Sequence, residues 1–413
     1  MKIAILGFGK EGKSVLQFLK RTSRYKGAEI DILDKKRSKV YLQNLEKYDL
    51  IIKSPGIPFS LPEVARAYAN NVMFTSATAL FFGRAKGLLI GITGTKGKGT
   101  TCTLLHRMLK QCKKDAYLAG NIGTPMLDIL PKLTKDSITV LELSSFQLHH
   151  LLFSPRIAVV LNIFPDHLDA HESFEEYLEA KGEIVASQKE HDTVFYFSDN
   201  KHAADLANKN KGTQIGIQPD AFTLFSSEDL RLVGEHNFRN AVMAASVALY
   251  LGCDPIIVKR TAQKFSGNPL RLQKVRDAGG ILFYNDSAST NPVSTAAAIR
   301  AFQTPTIVIA GGRDKGFPYD ALAQVAHWPA LQHAVLVGEN ASFLKKAFKG
   351  VEITEVHALE KAVFAAFRYA VKKRKKGQTW NIVFSPGAAS FDQFKNYKER
   401  GKKFNEIVKR LKI

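Results

Sequence analysis

The chain has 413 residues, 45% hydrophobic and 23% charged, which excludes a disordered polymer and, at roughly 100–200 residues per domain, fits about two to four domains. Lysine and arginine number 59 against 38 aspartates and glutamates, a net charge of +21. Such a field draws anions, whether nucleotides, phosphorylated metabolites, nucleic acid or acidic lipid, without choosing among them. The basic runs, Lys35-Lys36-Arg37, Lys372 to Lys376 and the stretch from Lys395, read as solvated helix ends; no aromatic residues interleave the central run, as a stacking platform for single strands requires.

The first strand is Ile3–Leu6. Its apolar run is too short to span a bilayer and lacks a leader-cleavage pattern. Gly7-Phe8-Gly9-Lys10-Glu11-Gly12 follows and opens a helix predicted over Lys13–Arg21. Glycines there let the backbone turn tightly and approach a pyrophosphate at a helix N-terminus. Asp34 ends the next strand, Ile30–Leu33, where a ribose-binding carboxylate belongs. Alone, this pattern fits a nicotinamide-dependent dehydrogenase or a plain strand-turn-helix crossover.

The stronger signal is a second loop. Leu88–Ile92 is a buried strand, Thr93-Gly94-Thr95-Lys96-Gly97-Lys98-Gly99-Thr100-Thr101 follows, and Leu104, Leu105, Met108, Leu109 and Cys112 mark one face of a helix. In such a loop, successive backbone N–H groups cradle phosphate oxygens, a lysine neutralises them and a hydroxyl reaches Mg2+. Lys98 is the phosphate lysine. Ile92 stands where the first glycine of the usual pattern would be and Gly99 replaces the usual Ser or Thr, so Thr100 or Thr101 must supply the hydroxyl.

Further strands are predicted at Thr139–Leu143, Ala158–Ile163, Thr306–Ala310, Ala334–Val337 and Asn381–Phe384. Continuous apolar runs alternating with helical patterns indicate parallel sheets covered on both faces, an α/β class. Glu142 lies inside an apolar strand; a buried carboxylate is expensive unless paired or bound to a cation, which points to magnesium. The Asp166/His167/Asp169/His171 cluster also admits a zinc reading, but nothing supplies a matching ligand pair. Three sparse cysteines, Cys102, Cys112 and Cys253, suit a reducing, cytoplasmic setting. Three units are expected: 1–86, 87–267 and 268–413, with the turn-rich Ser266-Gly267-Asn268-Pro269 as the second joint.

With these segments in hand, the chain resembles the Mur ligases along nearly its whole length. The resemblance rests on the two glycine loops, Ser54-Pro55-Gly56, Gly120-Asn121-Ile122-Gly123, Glu142 to Leu148, Asp166-His167 and Gly234 to Asn240. It continues through Asn285 to Pro292, Gly311 to Gly316 and Ser385 to Phe394. The Asn285 and Ser385 segments resemble the branch that adds D-glutamate to UDP-N-acetylmuramoyl-L-alanine.

The resemblance implies a Rossmann-like UDP-sugar-binding domain, a central ATPase domain and a Rossmann-like amino-acid-binding domain. It implies that Gly7, Phe8, Gly9, Gly12, Asp34, Ser54, Pro55 and Gly56 hold the UDP-sugar, with Asn121, Ser144 and Gln147 along its path. Gly94 to Thr101, Asn237, Asn240, Arg271 and Asp286 would contact ATP, and Lys315, Ser390 and Phe391 the D-glutamate. Thr100, Glu142, His167 and Lys181 would hold two Mg2+ ions, Lys181 as the lysine this family carbamylates. Without the family, Lys181 reads as a surface residue of a helix. The resemblance further implies a cytoplasmic monomer with no nucleic-acid partner and no membrane span.

Ala288 departs from the family, which usually has lysine there near the substrate anions. A folylpolyglutamate ligase is the nearest rival, since its loop commonly has glycine where this chain has Gly99; another Mur ligase taking a different amino acid is a second. A dehydrogenase would leave the Gly94–Thr101 loop idle, and a nucleic-acid ATPase would leave Asn285–Pro292 and Ser385–Phe394 without purpose.

Overall fold

The computed structural model describes residues 1–165, 171–232 and 234–411. They form two compact units, Met1–Leu224 with Arg239–Ala262, and Phe225–Phe238 with Gln263–Ile413.

The first unit holds two sheets. β1 (Lys2–Leu6), β2 (Glu29–Leu33), β3 (Leu50–Lys53) and β4 (Met73–Thr75) are parallel in the order β2-β1-β3-β4. β5 (Leu88–Thr93), β6 (Ala116–Gly120), β7 (Ile138–Glu142), β8 (Ile157–Val160), β9 (Thr193–Phe197) and β10 (Thr213–Ile217) are parallel in the order β10-β9-β8-β5-β7-β6. In both sheets later strands are added on either side of the opening strand. That topology leaves a crevice beyond the carboxyl end of β1 and another beyond β5, where ligands of open α/β sheets bind.

Both glycine loops stand at these crevices. The helix after β5, Lys98–Gln111, buries Cys102, Leu104, Leu105, Met108 and Leu109. Each such apolar side chain contributes about 1.5–3 kcal/mol when fully buried, so the helix N-terminus is held firmly under its loop. Cys112 caps the helix end and is only partly buried.

The second unit has one sheet: β11 (Gln273–Asp277), β12 (Ile281–Asn285), β13 (Thr306–Ala310), β14 (Leu331–Val337), β15 (Glu352–Val356) and β16 (Trp380–Phe384), in the order β11-β12-β16-β13-β14-β15. All pairs are parallel except β11 with β12. The helix after β13 packs with Val308, Ala310 and Leu336 on one face. The helix after β16 packs with Ile382 and Phe384 on the other. The β13/β16 boundary is therefore this sheet's switch point.

Three local expectations are corrected. The first helix starts at Lys10, not Lys13, with extended Gly9 as its cap. Gly12 thus lies inside the helix, where a Cβ would run into the Gly7 carbonyl oxygen; glycine there lets the helix seat against the loop. The strand predicted to Ile163 ends at Val160, because the following backbone turns to bind the Gly94–Thr101 loop instead of a neighbouring strand. β11 is antiparallel and mostly polar, so no apolar run marked it.

Candidate active site

The carboxyl ends of β1, β2 and β3 frame a cleft of about 440 Å3. Gly7, Phe8, Gly9, Asp34, Ser54, Gly56 and Asn121 all line it. Asp34 accepts the N–H groups of Phe8 at 2.6 Å and Lys36 at 2.9 Å, and these bonds, that of Lys36 first, hold its carboxyl below the ordinary aspartate range. The carboxylate thus fixes the glycine loop as well as facing the cleft. Gly7 has φ +92°, and a Cβ there would lie 2.7 Å from Ser54 Oγ; that hydroxyl instead donates to the Gly7 carbonyl at 3.1 Å. Gly12 does not line the cleft, and Pro55 lines a neighbouring cavity with Lys53, His149, His150 and Glu176.

Ser144 and Gln147 form a reciprocal capping box at the start of the short Ser145–Leu148 helix. The Gln147 amide also donates to Glu11 Oε1 at 2.8 Å. Burial pushes the Glu11 carboxyl up, opposed by that hydrogen bond. Glu11, which lines the cleft, was missed because its helix position carries no chemical signature.

The phosphate loop lies between the ends of β7 and β8. Gly94 has φ +148° and Gly97 φ +89°. A Cβ at Gly97 would run into the side chain of Asn240, which is 2% exposed and whose Oδ1 has no hydrogen-bond partner among the described residues. The loop is tied to the segment after β8: Thr95 N donates to Asn162 O at 2.7 Å and Lys96 N to Asn162 Oδ1 at 3.2 Å. Phe164 N donates to Thr95 Oγ1 at 3.0 Å, and Tyr177 OH lies 3.0 Å from the same hydroxyl. Thr95 is therefore a fastener, and Asn162 and Tyr177 are site residues that local motif reading missed.

Lys98 Nζ arches back to donate to the carbonyls of Gly94 at 2.7 Å and Thr95 at 3.2 Å. It sits at the start of a helix whose first N–H groups offer an anion site. Lys181 meets the same backbone: its Nζ donates to Gly94 O at 3.2 Å and lies 4.5 Å from the Tyr177 ring centre. Lys181 is 1% exposed, which corrects the reading of it as a surface residue; its helix turns it inward against the phosphate loop.

Glu142, at the end of β7 and 6% exposed, accepts the Asn121 Nδ2–H at 2.9 Å. Asn121 thereby connects the first cleft to a buried carboxylate in the strand beside β5. A hard oxygen donor held out of water fits a divalent cation such as Mg2+. Thr100 is partly exposed, whereas Thr101 is fully buried and its Oγ1 has no partner among the described residues. His167, with Asp166 and Asp169, lies outside the described residues.

In the second unit, Asp286 ends β12 and is 5% exposed. Its Oδ2 accepts from Ser289 Oγ at 2.6 Å and Ser385 Oγ at 2.7 Å, and its Oδ1 accepts the Leu272 N–H at 3.1 Å. Burial pushes its carboxyl up to about 6, partly offset by those donors. At the switch point, Gly311 N donates to Pro386 O at 2.8 Å and Arg313 N to Ala389 O at 2.9 Å. The Lys315 and Ser390–Phe391 segments are thus brought together. Lys315 and Phe391 are exposed and Ser390 is buried. Arg271 is exposed, and Asn237, near the start of the Glu235–Tyr250 helix, is buried.

Two family models match the chain, the Mur ligase middle domain over residues 92–248 and the Mur ligase glutamate ligase domain over residues 270–383. A relative from Acetivibrio thermocellus, a UDP-N-acetylmuramoylalanine–D-glutamate ligase, is 32% identical, covering 98% of this chain and 96% of the relative. A protein of the same name from Clostridium botulinum is also 32% identical, covering 99% and 97%. The fold is similar to that of a UDP-N-acetylmuramate–alanine ligase from Thermotoga maritima, with a TM-score of 0.60 at 18% identity and 99% of each chain covered. It is similar also to a MurF ligase from the same organism in complex with ADP, with a TM-score of 0.59 at 17% identity, covering 99% and 95%. With 32% identity across nearly all of both chains, this protein belongs to the Mur ligase family.

Proposed function

We propose that this chain is the ATP-dependent ligase that joins D-glutamate to UDP-N-acetylmuramoyl-L-alanine in peptidoglycan precursor synthesis. The observation that carries the reading is its full-length identity to relatives bearing that name. Residues 1–86 would bind the UDP-sugar, 87–267 the ATP and 268–413 the incoming amino acid. The protein would act as a cytoplasmic monomer; among the described residues no helix is long and apolar enough to cross a membrane.

The chemistry follows from what a carboxylate lacks. It has no adequate leaving group, so a carboxylate oxygen of the alanyl substrate first attacks the ATP γ-phosphorus and ADP departs. The glutamate amine then attacks the acyl phosphate carbon, the tetrahedral adduct collapses, and phosphate leaves with the carboxylate oxygen. Lys98, released from the Gly94 and Thr95 carbonyls, would pair with the phosphates, and the N–H groups opening the Lys98–Gln111 helix would donate to their oxygens. Asn237, Asn240, Arg271 and Asp286 would hold the nucleotide. Lys315, as a point charge, would receive a glutamate carboxylate beside Ser390 and Phe391.

Thr100, Glu142, His167 and a carbamylated Lys181 would hold Mg2+. Carbamylation turns a buried cation into an anionic oxygen donor, which accounts for a lysine so close to the phosphate loop. Bound there, Mg2+ offsets the charge that develops on the transferring phosphoryl group.

The test is phosphate release from ATP. It is expected only when UDP-N-acetylmuramoyl-L-alanine and D-glutamate are both present. Equal release with a folate and L-glutamate, or with DNA, refutes the assignment.

A further inference from the structure

The proposed reaction leaves the chain's charge unexplained. Residues 359–376 carry seven lysines and arginines against one glutamate, and residues 395–411 carry seven against two glutamates. These two stretches hold 11 of the 21 excess positive charges in 35 of the 413 residues.

The fold places the two stretches together. The Leu359–Lys373 and Tyr397–Arg410 helices pack on one face of the second unit's sheet, sharing a core of Ala362, Ala366, Phe404 and Ile407. The end of the first helix and the turn after it expose Lys372, Lys373, Lys375 and Lys376, and the second helix exposes Lys402 and Lys403. Among the described residues none of these six forms an ion pair. In the first helix Phe364, 40% exposed, and Val371, 55% exposed, lie two turns apart on the outward side. Arg368 and Lys372 are exposed beside them.

We propose that this two-helix face is a docking surface for a bilayer containing anionic phospholipid, holding the enzyme peripherally at the membrane. Clustered lysines gain from the negative surface potential of such a leaflet. Their long stems lie along apolar surface while the ammonium groups stay in water. Phe364 and Val371 have a place at the headgroup boundary and none against a nucleic-acid backbone. The exposed cations of the two helices are mostly lysine point charges, with Arg368 and Arg410 the exposed arginines, and the two exposed rings, Phe364 and Tyr397, are too few for the stacking platform that favours single-stranded nucleic acid.

The experiment uses the full-length protein and sedimentation with lipid vesicles at about 0.1 M salt, near a Debye length of about 10 Å. Binding is expected to vesicles with about one-third phosphatidylglycerol and not to pure phosphatidylcholine. Replacing Lys372, Lys373, Lys375 and Lys376 together by Gln should weaken binding on the order of a hundredfold or more, at roughly fivefold per lysine near the surface. Removing four lysines elsewhere (Lys20, Lys26, Lys209 and Lys211 to Gln) should change it far less. Phe364→Ser with Val371→Ser should also weaken vesicle binding. ATP-driven ligation in solution, unchanged in every variant, verifies folding. Equal binding to neutral vesicles, no binding to anionic ones, loss of binding in the control as large as in the cluster variant, unaltered binding in the Phe364/Val371 variant, or displacement from vesicles by RNA at equal phosphate concentration would each overturn the proposal.

Discussion

Asp286 offers a perturbation whose magnitude can be worked from the structure. Its carboxyl is buried and raised from 3.8 to about 6. A group raised on folding binds more protons in the folded state. The stability it contributes is fully present below the unfolded value and is lost as pH rises through the folded one. A shift of about two units is worth about 3 kcal/mol. The wild-type protein should therefore lose about 3 kcal/mol from this site between about pH 4 and pH 7. For a unit of this size that is roughly 6–12 °C in melting temperature.

Asp286→Asn removes the titration. The serine hydroxyls of Ser289 and Ser385 can rotate to accept from an amide placed at Oδ2, while the amide oxygen at Oδ1 keeps the Leu272 N–H. The variant should fold, and its melting temperature relative to wild type should rise steadily from pH 4 to pH 7. Thermal unfolding of both proteins in parallel measures this difference and cancels the other titrating groups. A difference that stays flat across the range refutes the argument that Asp286 is a buried, titrating carboxylate. If the same residue also meets the ATP ribose, KM for ATP rises in the variant while UDP-sugar affinity does not change.

Two further predictions concern the phosphate loop. Lys98→Ala should abolish phosphate release and leave UDP-sugar binding, read by calorimetry, within about twofold; the Coulomb attraction it loses acts on ATP phosphates rather than on the first cleft. Lost UDP-sugar binding in that variant contradicts the division between the two loops. Enzyme equilibrated with 13C-labelled bicarbonate should show a carbamate carbon resonance that is absent in Lys181→Arg, and a spectrum identical for the two proteins removes the carbamate from the site.

Local sequence carried the strand–loop–helix units because each of their signals is local. An apolar run, glycines at the turn and an apolar helical face fixed the phosphate loop at β5 without any knowledge of neighbours. Lys181 shows the opposite case. Nothing beside it in sequence differs from an ordinary helix, and only packing of that helix against β5 turns its amine onto Gly94. Asp286 is similar: its donors come from Leu272, Ser289 and Ser385, up to 99 residues away. Glu142 was legible as a buried charge, but its Asn121 partner required knowing that β6 and β7 are neighbours. β11 escaped because an edge strand of mixed polarity has no period to detect.

Gly99 leaves two candidate hydroxyls for the metal, and burial separates them. Thr101 is 0% exposed, and its Oγ1 has no partner among the described residues. A buried hydroxyl left unpaired costs about 1–3 kcal/mol, so Thr101→Val, which keeps the shape, should hold or raise the melting temperature and leave turnover intact. Thr100 keeps access to solvent at the first turn of the helix. Loss of a bond to a charged partner costs about 1.5–3 kcal/mol, so Thr100→Ala should raise the Mg2+ concentration needed for half-maximal rate by about tenfold to a hundredfold. The decisive measurement is the Mg2+ titration of both variants at saturating ATP. A curve unmoved in Thr100→Ala but displaced in Thr101→Val would assign the metal to the buried hydroxyl and require the start of the helix to open before ATP binds.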